Sequence, residues 1–177
     1  MLLVPADHLP EGTEIHGGAM TKAIFASDFV AWGAVKTLPL APGGMTRMML
    51  GVDADVVRDA APREKARVRR ILDHLLPVGP RAPGMGFDVE TAAVRRPYEI
   101  EKIACPVLAI SAEDDAFGTA ARARGLAGAV RDGRAVVYPT VGHALVGRFA
   151  AALEETTRFL RDVRSRPEPS GGRVGAL

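Results

Sequence analysis

The sequence predicts an α/β fold with a parallel sheet. Two short apolar runs, residues 106–111 and 134–138, are separated by a segment of helical composition and by turn residues. Near-continuous apolar runs of this length are typical of strands buried on both faces of a parallel sheet. A third apolar run, residues 2–6, stands at the start of the sequence. Strands that alternate with helices favour parallel pairing, so these three runs are the predicted strands.

Most of the first half of the chain is predicted to be helical. Residues 7–20 contain many turn residues and predict a loop. Residues 21–38 predict a helix, because apolar residues recur at helical spacing in Ile24, Phe25, Phe29, Trp32 and Val35. This stripe predicts core packing; the alternative for Phe25, Phe29 and Trp32 is the lining of a substrate pocket.

Two more helices are predicted before the second strand. One covers residues 53–60, and the other runs from Pro62, which suits a first helical position, to Leu76. The apolar stripe of the second helix is Val68, Ile71, Leu72, Leu75 and Leu76. Its basic residues, Arg63, Lys65, Arg67, Arg69 and Arg70, predict a solvated face rather than a nucleic-acid site. Residues 79–98 are rich in Pro, Gly and Arg and predict irregular structure.

The second half of the chain is predicted to continue the strand and helix alternation. After the strand at 106–111 come a loop at 112–118 and a helix at 119–130. The strand at 134–138 is followed by a loop at 139–143 and by a helix at 145–163, whose inward residues are predicted to be Phe149, Leu153, Phe159 and Leu160. Residues 164–177 predict a disordered tail from their composition.

Composition excludes several classes of function. The 23 basic and 21 acidic residues are too evenly balanced to indicate nucleic-acid binding. The N-terminus has no basic region typical of a signal peptide, and no long apolar run predicts a membrane span. The single cysteine, Cys105, allows no internal disulfide, and a cytoplasmic location is expected. His8, His16 and His74 have no partners at metal-ligand spacing, so no metal site is predicted.

Acidic residues and a histidine follow the two strands of the second half. Asp114 and Asp115 come just after the strand at 106–111, and His143 follows the strand at 134–138. The carboxyl ends of parallel strands meet at one edge of a sheet, where functional residues gather. A carboxylate next to a histidine orients the imidazole and stabilises its protonated form during general-base catalysis.

On these residues the chain resembles the C-terminal half of a cap-bearing α/β-hydrolase. Residues 103–115 resemble the strand and acid loop of that family, and residues 137–144 resemble the strand and histidine loop. Residues 1–6 resemble the strand that leads into the helical cap. The resemblance implies the last three strands of the hydrolase sheet, with a partial core at 1–6 and 99–163 and a cap at 7–98.

The resemblance also implies roles for individual residues. His143 would be the catalytic histidine and Asp115 the catalytic acid, with Asp114 as the less favoured alternative. Phe117 and Leu145 flank these residues and are the candidates for substrate binding. The reaction implied is hydrolysis of an ester-like or related acyl bond in a small apolar substrate, without a metal or other cofactor.

The sequence departs from the family in one large respect. It contains no G-x-S-x-G nucleophile elbow, which the family places before the acid and the histidine. Its serines are Ser27, Ser111, Ser165 and Ser170, and neither they nor Cys105 are predicted to stand on such a turn. The usual oxyanion donors also belong to absent segments. These 177 residues alone are therefore expected to be inactive.

The alternatives to a truncated hydrolase are a non-catalytic interaction module and one half of a split enzyme. In the second case the edge of the first strand would be the surface that pairs with an N-terminal-half partner. A third explanation for the missing elbow is that Met1 is an internal start within a longer reading frame.

Overall fold

The computed structural model of the chain describes residues 2–3, 26–37, 46–47, 50–84, 87 and 99–166. The elements in chain order are β1 (Leu2–Leu3), α1 (Asp28–Thr37), α2 (Ala54–Asp59), α3 (Pro62–His74), β2 (Val107–Ala112), α4 (Thr119–Ala129), β3 (Gly133–Tyr138) and α5 (Phe149–Ser165). Short 3₁₀ turns cover Gly79–Arg81 and Ile100–Lys102.

The sheet is parallel, which confirms the predicted α/β class. β2 and β3 are paired along their whole length, from Val107 opposite Gly133 to Ala112 opposite Tyr138. The two residues of β1 pair in parallel with the middle of β2 on its other side. The sheet thus has two full strands and one two-residue segment. Residues 4–6 of the predicted first strand lie outside the described residues.

β2 is buried on both faces, as its apolar run predicts. The same prediction is wrong for β3, whose first three residues are exposed and whose last three are half-buried. Leu108 and Ile110 pack with Phe159 of α5 on one face of the sheet. Val107 and Ala109 form a cluster on the other face, which includes Leu126 of α4. Side chains alternate between the two faces of a strand, so β2 joins the two helices into one three-layer unit.

The described helices of residues 26–84 have a core of their own. It contains Val35 of α1, Val68 and Leu72 of α3, and Leu50 with Val52. α3 begins at Pro62, as predicted, because a proline at the first position forfeits no helical hydrogen bond. Val146, from the segment after the histidine loop, belongs to the same core, so the helices are packed against the C-terminal part of the chain.

The structure corrects part of three predicted apolar stripes. In α1 the buried residues are Ala31 and Val35, whereas Phe29 is 78% exposed and stacks on the exposed Trp32. In α5, Phe159 is buried but Leu153 and Leu160 are exposed, and Ile71 of α3 is exposed as well. Helical spacing marks an apolar stripe, but only a neighbouring element buries it. Ile24 and Phe25 lie outside the described residues.

The boundaries of α5 also differ from the prediction. The helix begins at Phe149, because residues 142–148 form consecutive turns in which Gly142 and Gly147 have positive φ. It ends at Ser165, inside the predicted tail; residues 167–177 lie outside the described residues. Within the described ranges, no helix combines the length and the apolar character that a bilayer span needs.

Candidate acid–histidine site

Asp115 and His143 meet at the carboxyl edge of the sheet. The loop after β2 carries Asp115, and the loop after β3 carries His143. The Nδ1 atom of His143 lies 2.9 Å from Oδ2 of Asp115. The Asp115 side chain is completely buried, whereas the imidazole is 39% exposed. The arrangement therefore has a sheltered carboxylate and a ring that a small molecule can reach.

Asp115 accepts hydrogen bonds on both carboxylate oxygens. Oδ1 accepts the backbone N–H of Phe117 at 2.9 Å, and Oδ2 accepts the hydroxyl of Thr119. Thr119 gives its hydrogen to the carboxylate, so the buried Ser111 hydroxyl, 2.6 Å away, is the donor to Thr119. This buried chain of hydroxyls fixes the orientation of the carboxylate before any ligand binds.

The same contacts determine the charge of Asp115. Burial opposes ionisation and by itself would raise the pKa of the carboxyl group. Hydrogen bonds from His143, from Thr119 and from the Phe117 N–H outweigh burial, and the pKa of Asp115 lies below its ordinary value. Asp115 is therefore ionised at neutral pH and can only accept hydrogen bonds.

An ionised Asp115 selects one tautomer of the neutral imidazole. Nδ1 of His143 faces a carboxylate oxygen and must carry the hydrogen of that bond. The second ring nitrogen, Nε2, is then the unprotonated one. An imidazole in this form can accept a proton at Nε2 while the carboxylate stabilises the imidazolium that results.

Asp114 has a different structural role from its neighbour. Its Oδ1 accepts the backbone N–H groups of Val141 at 2.9 Å and of Gly142 at 2.8 Å. Two hydrogen bonds to one carboxylate oxygen tie the acid loop to the residues just before His143. Of the two predicted alternatives, the structure places Asp115 against the imidazole and Asp114 against the backbone of the histidine loop.

Gly51 joins the two loops from the helical side. Its carbonyl oxygen accepts the N–H of Ala116 at 3.1 Å and the N–H of His143 at 3.4 Å. Gly51 has a φ of +62°, and a Cβ built on it would stand 2.7 Å from Cβ of His143 and 3.1 Å from Oδ1 of Asp115. Only glycine fits here, because any side chain would displace one loop or the other.

The two predicted substrate-binding residues lie in different surroundings. Phe117 is exposed, and its ring stands edge-on to the imidazole of His143 with centroids 4.9 Å apart. Leu145 is 1% exposed and packs in the core with Ile110 and Phe159. Phe117 is thus placed to contact a molecule at His143, whereas the side chain of Leu145 supports the loop from inside.

Arg67 of α3 braces the segment after His143. Its guanidinium donates to the carbonyl of Ala144 at 2.7 Å, pairs with Glu64 at 2.9 Å and lies 4.5 Å over the ring of Phe149. Glu64 in turn accepts the N–H of Gly147 at 3.1 Å. The sequence predicts a solvated face for Arg67; the structure instead buries most of its side chain, because the guanidinium contacts Ala144 and Phe149 of the segment after His143.

The charge of Glu64 follows from the same brace. Burial acts to raise the pKa of this carboxyl group, but hydrogen bonds from Arg67 and from the Gly147 N–H lower it further than burial raises it. The brace is therefore an ionised pair at neutral pH, and it holds the helical block against the histidine loop.

The described serines do not reach the imidazole. Ser111 is fully buried and bonds Thr119, while the Ser165 hydroxyl bonds the Asp162 carbonyl at the end of α5. Ser27 directly precedes α1, Ser170 is outside the described residues, and Cys105 is exposed ahead of β2. Among the described residues, no group of three or more His, Cys, Asp or Glu side chains is placed to hold a metal ion.

Sequence reasoning missed three residues of this site. Thr119 had a usable signal, since a hydroxyl residue stands four positions after the acid, at the other end of a short turn. Gly51 and Arg67 had none, because the loop residues that they contact, Ala116 and His143 for Gly51 and Ala144 for Arg67, lie more than sixty residues away in the chain. Contacts of that range depend on the tertiary fold, not on local spacing.

Comparisons of the chain with protein-family models, with curated proteins and with solved structures found no match.

Proposed function

We propose that Asp115 and His143 are the acid and the histidine of a nucleophile–histidine–acid triad in a protein of the α/β-hydrolase type. The observation that carries the proposal is the 2.9 Å bond between Nδ1 of His143 and the buried carboxylate of Asp115. The order of the residues, acid before histidine after successive parallel strands, is the order found in that fold. The reaction is hydrolysis of an ester-like or related acyl bond in a small apolar substrate.

His143 acts as the general base in this proposal. Nε2 accepts the proton of a hydroxyl nucleophile as the hydroxyl oxygen attacks the acyl carbon, and it returns that proton to the leaving alcohol, so that the acyl group stays on the nucleophile. Nε2 then takes a proton from a water molecule that attacks this acyl group, and it returns the proton to the nucleophile oxygen as the carboxylic acid is released. Asp115 stays ionised throughout and stabilises the imidazolium. The exposed Phe117, edge-on to the imidazole, would contact the apolar part of the substrate.

The nucleophile is assigned to a segment outside these 177 residues. The sequence contains no G-x-S-x-G, and the buried Ser111 already bonds Thr119. The helices between β1 and β2 would be the cap of such a protein, and β1, β2 and β3 its last strands. By itself, the 177-residue chain is expected to show no esterase turnover.

The first experiment measures esterase activity with and without a nucleophile-bearing segment. An in-frame G-x-S-x-G segment upstream of Met1 would be expressed together with residues 1–177 and assayed on short aryl esters. We expect turnover that falls by about 10⁴-fold or more in His143→Ala, and by a similar factor in Asp115→Asn. An active product that keeps its turnover in both variants would contradict the proposal.

The second experiment uses the 177 residues alone. Turnover of aryl esters by this chain that is abolished by His143→Ala would place the nucleophile inside it. That result would overturn the assignment of the nucleophile, while it would support the role of His143.

A second candidate function is a non-catalytic module or half of a split enzyme. It is favoured by the exposed leucines Leu153 and Leu160, which lie seven residues apart on α5 and thus on one side of the helix. The partner would be a polypeptide that supplies the elbow-bearing strands. A stable, monomeric 1–177 that forms no complex with such a polypeptide would exclude this candidate.

A further inference from the structure

The helical block contains a cavity of about 530 Å³. Its apolar wall is formed by Val35 of α1, by Leu50, and by Val68 and Leu72 of α3, all of which are buried. The volume lies within the range of small-molecule sites. None of its lining residues belongs to the loops of Asp115 and His143, so the cavity is separate from the acid–histidine site.

The polar residues of the cavity are mostly cations. Of the described residues that line it, four are cations, Lys36, Arg58, Lys65 and Arg69, and one is a carboxylate, Asp73. The apolar wall and this basic rim would suit a molecule with an aliphatic body and a negative end.

Two of the four cations already have carboxylate partners. Lys36 pairs with Asp73 at 3.2 Å, and Arg58 pairs with two aspartates of α2. Lys65 and Arg69 form no ion pair with the side chains in the described part of the chain. They lie four residues apart on α3, so both project from the same side of the helix. These two side chains are the ones placed to receive an anionic group.

We propose that this cavity binds an aliphatic monocarboxylate. Its alkyl chain would lie against Val35, Leu50, Val68 and Leu72, and its carboxylate would bind Lys65 and Arg69. A neutral alkane-like ligand would leave the rim unused, and an aliphatic cation would be repelled by it. The inference does not rest on the function proposed for Asp115 and His143.

The probe for the first measurement is decanoate, titrated into the 177-residue chain and followed by calorimetry and by amide NMR shifts. We expect saturable one-site binding, with shifts at α1 and α3. Decanol, with the same chain and no charge, and decyltrimethylammonium, with the opposite charge, should each bind at least about tenfold more weakly. Binding of decanoate should also weaken as salt is added.

Two double variants distinguish the effect of the two cations at the cavity from the effect of the overall charge of α3 on decanoate binding. Lys65→Gln with Arg69→Gln should weaken decanoate binding about tenfold and leave decanol binding unchanged. Arg63→Gln with Arg70→Gln removes two exposed charges from the same helix at positions that do not line the cavity, and it should leave decanoate binding unchanged. Both pairs change surface residues, so both proteins should fold.

Three results would overturn the proposal. One is the absence of saturable decanoate binding. Another is equal binding of decanoate and decanol, which would make the cavity an uncharged apolar site. The third is an equal loss of decanoate binding in the two variant pairs, which would trace the effect to net charge alone. Filling the cavity with Ala54→Leu offers an independent check, since it should abolish decanoate and decanol binding together.

Discussion

Gly51 and His143 are in such close contact that a Cβ on Gly51 would stand only 2.7 Å from Cβ of His143. The carbonyl of Gly51 also accepts the N–H of His143. The residues beside them are in equally close contact, because a Cβ on Gly142 would stand 2.1 Å from Cβ of Val52. The segment at 51–52 therefore determines how closely the histidine loop approaches the acid loop.

Gly51→Ala should destabilise the protein and displace the two loops. The substituted residue would have to keep a left-handed backbone, at a cost of about 1–2 kcal/mol, and its Cβ would overlap His143, at a cost of about 1–3 kcal/mol more. Urea unfolding measures the free-energy loss, and amide NMR locates the displacement at residues 114–118 and 141–144.

Gly118→Ala is the matched control for this substitution. Gly118 has a φ of +66°, close to that of Gly51, but apart from its two chain neighbours no described residue has an atom within 4 Å of the Cβ built on it. Gly118→Ala should lower the free energy of unfolding by about 1–2 kcal/mol, the cost of a left-handed backbone at alanine, without moving His143. Equal losses in the two variants would show that contact with His143 contributes nothing.

Asp115→Asn should change the tautomer of His143. An amide can donate a hydrogen bond to Nδ1, so this nitrogen no longer has to carry a hydrogen. A hydrogen bond to a charged group contributes about 1.5–3 kcal/mol, which predicts a tenfold or larger change in the ratio of the two tautomers. The ¹⁵N shifts of the imidazole report this ratio directly.

Asp114→Asn serves as the comparison for the tautomer measurement. Its amide oxygen can still accept the N–H groups of Val141 and Gly142, and Asp114 does not contact the ring. The tautomer of His143 should stay as in the unmodified protein. The same change of tautomer in both variants would argue against a specific bond with Asp115.

The free energy of unfolding should depend on pH through Asp115. The pKa of Asp115 in the folded protein is lower than the ordinary value, so the ionised carboxylate stabilises the folded state. This stabilisation is complete above the unfolded pKa of about 3.9. As pH falls through that value toward the folded pKa, the unfolded state takes up the proton first and the stabilisation is lost.

Urea unfolding between about pH 5 and about pH 3, the range in which the carboxyl group titrates, tests this dependence, with Asp115→Asn for comparison. The stability advantage of the unmodified protein over the variant should shrink as pH falls. Glu64, whose pKa is also lowered, is present in both proteins and contributes to both curves. An advantage that stays constant or grows at low pH would contradict the prediction.

Arg67→Ala should cost about 2–3 kcal/mol of stability. The substitution removes the donor to the Ala144 carbonyl and the partner of Glu64, and it leaves a half-buried carboxylate without its cation. Arg70→Ala, on the same helix and exposed, should change stability by no more than about 0.5 kcal/mol. Chemical denaturation of the two variants checks the difference; equal effects would mean that the Arg67 brace does not stabilise the fold.

Local patterns predicted the elements of the C-terminal half closely. The predicted strands at 106–111 and 134–138 are Val107–Ala112 and Gly133–Tyr138, and the predicted helix at 119–130 is Thr119–Ala129. These elements are defined by continuous apolar runs and by turn residues at their ends, which act over a few residues.

Burial was predicted less well than helix position. Phe29, Trp32, Leu153 and Leu160 lie at the predicted helical spacing but are exposed. Spacing says which side chains share a face of a helix, but not whether another element covers that face.

The sequence by itself determined the parallel α/β class and the placement of an acid and a histidine at one edge of the sheet. Both follow from local patterns together with the rule that parallel strands end at the same edge. The tertiary structure decided that Asp115 contacts the imidazole, that Asp114 holds the histidine loop, and that Gly51 and Arg67 brace the site. These contacts join residues that are far apart in the chain, so their geometry depends on the register of the strands and the packing of the helices, which no local pattern contains.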